Sequence, residues 1–358
     1  MEKREVKVTC GNVKKIGRTY EYKDILWCAL SGSGIECTFK GKEAEVTVIG
    51  DNIAASSSEE GNYARIGIFV NNKLVVRSMI EEKEVTFKVF SSEESEEVVL
   101  KVIKLSESPM STIGIKNIKV VSEDEVKPTP KKDKYIEFIG DSITCGYGVD
   151  DEDPEHHFST DTEDVTKAYA YKTAEKLDVD YSMVSYSGYG IISGYTGDEN
   201  EINTSELLPK YYEKIGYSHG YFGGDLKPED LKWDFNTHKP DLIVINLGTN
   251  DYSFCKENLD KRKEFTKKYS EFLNVVRKNN PESVILCTLG IKGAELYGCI
   301  LDAIDIYKEN NNDEKIYSME FEEQTTEDGL AADYHPTEKT NEKASKKLVA
   351  KIKEIMKW

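Results

Sequence analysis

The 358-residue chain has no apolar run long enough to cross a bilayer; its longest, DLIVINLG at 241–248, is the length of a buried strand. Cysteines occur at positions 10, 28, 37, 145, 255, 287 and 299, an odd number with no CxxC pair. A disulfide framework and a zinc knuckle are therefore not expected. Cys145 and Cys287 read as packed core thiols. Positive charge is scarce: 48 Lys and Arg stand against 66 Asp and Glu, a net charge of −18. Nucleic acid and anionic membrane both reward clustered cations, so neither is expected as a partner. The opening MEKREVKVTCGNVKK has basic residues but no apolar core behind them. No secretory signal is read there, and a cytoplasmic location is the expectation. The segment DDEDPEHHFSTDTED at 150–164 holds His156, His157 and many carboxylates. It lacks a glycine-centred calcium loop and the helical His spacing of zinc enzymes, so it reads as a solvated acidic loop at the lip of a site. No metal and no cofactor are expected.

What is present comes in two periods. Residues 1–122 alternate apolar and polar in short runs, such as EVTVIG at 45–50, ARIGIFV at 64–70 and EVTFKVF at 84–90. Asn71-Asn72 between two such runs predicts a tight hairpin. Many short strands with polar turns predict an all-β, jelly-roll-like sandwich domain. Residues 123–134, with two prolines and mixed charge, read as a linker. From 135 to 358 strand-like runs alternate with helical ones. Strands are expected at 135–139, 181–186, 242–247, 284–289 and 315–321, and helices at 163–177, 205–215, 256–279, 295–310 and 337–357. This alternation predicts an α/β domain, a parallel sheet covered on both faces in three layers.

Ligands of such sheets bind at the carboxyl ends of the strands. There the sequence places Gly140-Asp141-Ser142, then Gly188-Tyr189-Gly190, then Gly248-Thr249-Asn250-Asp251, and before the last helix Asp333-Tyr334-His335-Pro336. One such cluster is a loop; four on one rim form a constellation. Its chemistry is acyl transfer. Ser142 is the candidate nucleophile and His335 the base that takes its proton and returns it to the leaving alcohol. The oxyanion needs fixed donors, for which the Ser142 N–H, a glycine N–H and the Asn250 amide are candidates. Asp141 and Asp251 read as structural.

These four blocks, in order, resemble the SGNH (GDSL-type) hydrolases, and the preceding β-domain makes the whole chain similar to carbohydrate esterase family 2. The resemblance implies a flavodoxin-like SGNH domain and a serine esterase that removes acetyl groups from plant polysaccharides such as xylan and mannan. It implies Ser142 as nucleophile, His335 as base, and Ser142, Gly188 and Asn250 as the oxyanion hole, with Gly190 the alternative to Gly188. One departure stands out. The acid of this superfamily lies three residues before the histidine, where this chain has Ala332. Asp333 is the nearest carboxylate, acting by side chain or only by its carbonyl. Tyr334 and Tyr189 are candidates for stacking on a sugar ring. An acetylated oligosaccharide is the expected partner, and assembly into a homo-oligomer is left open. The rival readings are a lipase, lysophospholipase or acyl-thioesterase on the same scaffold, and a carbohydrate-binding protein with an idle hydrolase domain.

Overall fold

The computed structural model describes residues 1–54 and 61–358. They form two compact units. The first comprises Met1–Lys132, Ser159–Glu163 and Lys214–Trp233; the second comprises Asp133–Phe158, Asp164–Glu213 and Asp234–Trp358.

In the first unit the expected sandwich is built from one continuous antiparallel sheet. Its main path runs Thr19–Tyr22, Ile25–Cys28, Ile113–Ser122, Gly34–Gly50, Glu84–Lys104, Arg65–Val70 and Lys73–Met79. The strand Gly34–Gly50 shows how one sheet encloses a core. Its first half buries Ile35, Cys37 and Phe39; its second half buries Ala44, Val46 and Val48 in the same cluster. Odd and even positions of a regular strand face opposite ways. The register shift between Gly41 and Glu43 inserts the extra residue that turns the second half back inward. Asn71 and Asn72 form the expected two-residue hairpin, Val70 pairing with Lys73. Both have positive φ, 50° and 62°, as a turn matched to strand twist requires. Part of the predicted linker is strand: Lys127–Pro128 pairs with Thr38 and Cys37.

The second unit holds a five-stranded parallel sheet. In chain order its strands are Tyr135–Gly140, Asp180–Ser185, Leu242–Asn246, Val284–Leu289 and Ile316–Glu320, and in space the order is second, first, third, fourth, fifth. This is the flavodoxin-like winding, whose switch point lies between the first and third strands. Every residue of Leu242–Asn246 is buried, as a strand covered on both faces must be. Helices Leu259–Asn279 and Tyr297–Asn311 pack together, as do Tyr169–Leu177 and Glu338–Met356.

Three helix expectations need correction. Residues 205–215 are not an α-helix; only Leu208–Lys210 forms a 3₁₀ turn. Leu207 before it is extended at ψ 115°, and Pro209, inside the turn, has no backbone N–H to give to a longer helix. The helix expected at 163–177 starts at Tyr169, after a separate turn at Val165–Lys167, because Ala168 is extended at ψ 153°. The helix expected at 256–279 is preceded by Thr249–Cys255. Lys256 ends that piece at φ 41°, and the Asn258 side chain caps Leu259–Asn279. No helix among the described residues is long and apolar enough to cross a membrane.

Candidate active site

The first strand of the parallel sheet ends at Gly140. A Cβ there would lie 2.0 Å from Thr144 Oγ1, so the turn into the next residues needs glycine. The Asp141 carboxylate accepts from the Ile143 N–H at 3.0 Å and caps the four-residue helix Ser142–Cys145. Burial pushes the Asp141 carboxyl up to about 7. Ser142 is the first residue of that helix, where backbone donors have no intrahelical acceptor. Its N–H donates to nothing among the described residues. The Cys145 thiol is buried and donates to Ser185 Oγ at 3.2 Å, as a packed thiol should.

His335 lies after a tight turn. Ala331 pairs with His335, and Asp333 and Tyr334 between them are left-handed at φ 49° and 59°. This turn aims two carbonyls at the ring. His335 Nδ1 lies 3.1 Å from Ala332 O and 3.2 Å from Asp333 O, and Nε2 lies 2.9 Å from Ser142 Oγ. An Nδ1–H donating to a carbonyl leaves Nε2 free to accept the serine proton, the tautomer a base needs. Tyr147 covers the imidazole face with ring centroids 3.9 Å apart. Burial, then the neighbouring Lys292 charge, push the imidazole down to about 3, so it is neutral at ordinary pH.

The Asp333 carboxylate is directed elsewhere. It accepts from Tyr147 Oη at 2.5 Å and lies 2.9 Å from His157 Nδ1. It is the Asp333 backbone carbonyl, and not the carboxylate, that faces the imidazole, at 3.2 Å from Nδ1. The side chain instead fixes Tyr147, which in turn stacks on the base. His156 meets Asp151 at 2.9 Å, and its carbonyl accepts from the Asp333 N–H at the same distance. The acidic segment thus braces the turn that carries the histidine.

The second and third strands supply the remaining groups. Gly188 is left-handed at φ 80°, and its N–H has no acceptor among the described residues. Gly190 is different: its N–H donates to Glu206 O at 3.1 Å. A Cβ on Gly190 would meet Ser193 O at 2.0 Å, so packing is what requires glycine there. Gly188 is therefore the available donor. The Asn250 amide donates to Tyr189 O at 2.9 Å and, at the longer distance of 3.5 Å, to Asp141 Oδ2, which together fix its plane beside the Ser142 turn. Asp251 is structural: its buried carboxylate accepts from the N–H groups of Ile191, Ile192 and Ser193 at 2.7–3.2 Å. Burial pushes it up to about 6.

The aromatics divide. Tyr189 is 4% exposed, its ring packed against Tyr186 and Tyr211, so it cannot offer a face to a sugar. Its contribution is the carbonyl that holds Asn250. Tyr334 is 48% exposed and its hydroxyl meets Glu155. Sequence reasoning missed two residues. Tyr147 sits between Gly146 and Gly148, just past the nucleophile. Lys292 sits in GIKG after the fourth strand, its Nζ 2.7 Å from Asp333 O and 3.2 Å from His335 Nδ1. A lysine between glycines on the same rim was the available signal.

A nucleophile bonded to a neutral imidazole, with two unengaged backbone donors and a fixed amide on the rim, is the equipment of acyl transfer. Residues 136–348 match the family model described as GDSL-like Lipase/Acylhydrolase, and the chain belongs to that family. Residues 15–130 match the Carbohydrate esterase 2 N-terminal model, so the pair of domains is that of a family 2 carbohydrate esterase. Among curated proteins, the chain is 29% identical over 335 residues to the cellulase/esterase CelE of Acetivibrio thermocellus, covering 92% of this chain and 38% of that protein. It thus spans well under half of that relative. It is 21% identical to an acetylxylan esterase / glucomannan deacetylase of Cellvibrio japonicus, over 97% of this chain and 90% of the relative. Among solved structures, an acetyl xylan esterase from the rumen bacterium Butyrivibrio proteoclasticus superposes with a TM-score of 0.88 at 24% identity, covering 100% of this chain and 99% of the other.

Proposed function

We infer that the protein is a carbohydrate O-acetyl esterase acting on oligosaccharides derived from acetylated xylan or mannan. The observation that carries the chemistry is the 2.9 Å contact of Ser142 Oγ with His335 Nε2, beside the unengaged N–H groups of Ser142 and Gly188. The sugar class is supported by the names of the relatives. Ser142 Oγ attacks the acetyl carbonyl as its proton passes to His335 Nε2. The oxyanion is met by the Ser142 and Gly188 N–H groups and the Asn250 amide. The imidazolium returns its proton to the sugar oxygen, which leaves. Water then attacks the acetyl-enzyme by the same route.

Among the described residues no carboxylate bonds to the imidazole; its Nδ1 faces the carbonyls of Ala332 and Asp333. Asp333→Asn keeps both the carbonyl and a side chain that tolerates the left-handed turn. It is expected to hold kcat/KM within about tenfold of the parent, whereas loss of a triad aspartate costs about 10⁴. A drop of the larger size would show that the carboxylate itself is the orienting acid.

The substrate is tested by acetate release, followed by NMR, from acetylated xylo- and manno-oligosaccharides, alongside 4-nitrophenyl esters of rising chain length. Acetyl esters should be turned over best. Strong hydrolysis of octanoate without acetate would favour a lipase-like enzyme and sink the deacetylase reading.

A further inference from the structure

Lys292 is the feature that the acyl-transfer scheme leaves unused. It is held deliberately. Gly290, Ile291 and Gly293 around it have φ of 129°, 71° and 96°. A β-branched residue such as Ile291 is seldom found at positive φ, and such outliers collect where a side chain must be aimed. The loop is tied down by Gln324, whose N–H donates to Ile291 O at 2.7 Å. A Cβ on Gly290 would lie 2.7 Å from Phe321 O. The result is an amine within reach of the nitrogen that, in a triad, would face a carboxylate.

We propose that Lys292 is a positioning residue whose own protonation gates the base: the site turns over only when Lys292 is the neutral amine. This rests on the Ser142–His335 reading. With both groups charged, imidazolium Nδ1 and ammonium Nζ would stand 3.2 Å apart in a largely buried pocket, where like charges disfavour each other strongly. The neutral amine behaves differently. It still donates to Asp333 O at 2.7 Å while its lone pair faces the Nδ1–H. Together with Ala332 O it then supports the imidazolium that forms as serine gives up its proton.

The surroundings favour such a switch. The groups facing the pair are Asp141 and Tyr147 from beyond the first strand and Asp333 from the histidine turn. His157 is engaged with the Asp333 carboxylate. Burial lowers the Lys292 amine to about 8, against the opposing pull of Asp141 and Asp333. The sign follows: below that value the lysine is charged and the imidazolium is penalised, so activity falls as pH drops. The acid limb of the pH–rate profile then belongs to the lysine and not to the histidine.

The test compares the parent with Lys292→Met and Lys292→Arg from pH 5 to 9.5. The readouts are acetate release and the rate of Ser142 sulfonylation by phenylmethylsulfonyl fluoride, followed by intact mass. Sulfonylation needs the base but no sugar ester. The methionine variant, neutral throughout, should move the acid limb down by at least about one pH unit, the scale of a like-charge interaction. At pH 6 it should therefore react about tenfold faster than the parent. The arginine variant, charged throughout, should be slow at every pH with no alkaline recovery. Parallel profiles for all three proteins, or an arginine variant that behaves like the methionine one, would overturn the proposal. Sulfonylation that follows the lysine pattern without any acetate release would remove the deacetylase reading and leave the gate standing. No sulfonylation at any pH would remove both.

Discussion

Ser142→Ala is expected to lower acetate release by at least about 10³-fold, the scale of losing a catalytic serine. Ser142 Oγ is the hydroxyl that His335 Nε2 reaches, at 2.9 Å. The nearby Thr144 hydroxyl is paired with Tyr169 Oη at 3.0 Å, and the Cys145 thiol is buried and bonded to Ser185. It has no route to the base. What survives in the variant is the oxyanion hole and substrate binding, which account for residual catalysis when a nucleophile is lost. The fold should be untouched, because among the described residues the hydroxyl bonds only to His335. Activity and thermal melting measured together separate the two effects: an unchanged melt with lost activity is the expected pair. A variant that still releases acetate at a tenth of the parent rate or more would remove Ser142 from the mechanism.

Asn250→Ala is expected to reduce kcat by about 10²–10³, with KM little altered. The argument is one of timing. A side-chain amide aimed at an oxyanion meets little charge in the ground state and a full charge in the transition state, so its loss appears in kcat. Asn250 suits this because Tyr189 O takes one of its N–H groups at 2.9 Å. The amide is thus oriented before substrate arrives. Asn250 lies at the start of Thr249–Cys255, directly after the third strand. That strand borders the switch point on the side opposite Ser142. A variant whose KM rises while kcat holds would assign Asn250 to ground-state binding.

Ser142 and Asn250 were legible as rim residues because each follows a buried strand with a clear period, whereas His335 was marked only by its place before the last helix. A buried parallel strand reads as a continuous apolar run, and the polar residues that stop it mark the rim. IEFIG before Asp141-Ser142 and LIVINLG before Thr249-Asn250 carry that signal locally. The helix at 205–215 failed for the complementary reason: its apolar spacing suggested a helix, but Pro209 decided the backbone.

Other choices were never local. Gly188 and Gly190 are equivalent in sequence, separated only by Tyr189. A bond from Gly190 N–H to Glu206 O, sixteen residues away in the chain, leaves Gly188 as the donor. Whether Asp333 serves by carboxylate or carbonyl depended on the left-handed turn at Asp333 and Tyr334, which sends the side chain to Tyr147 and the carbonyl to the imidazole. Lys292 carried only the weak signal of a lysine between glycines; it reaches His335 from another strand's loop. Sequence by itself determined which residue types stand at the strand ends, because burial imposes a period the chain must carry. Only the tertiary structure decided how they are wired. Hydrogen-bond partners are set by where separate loops converge, and no single segment encodes that meeting.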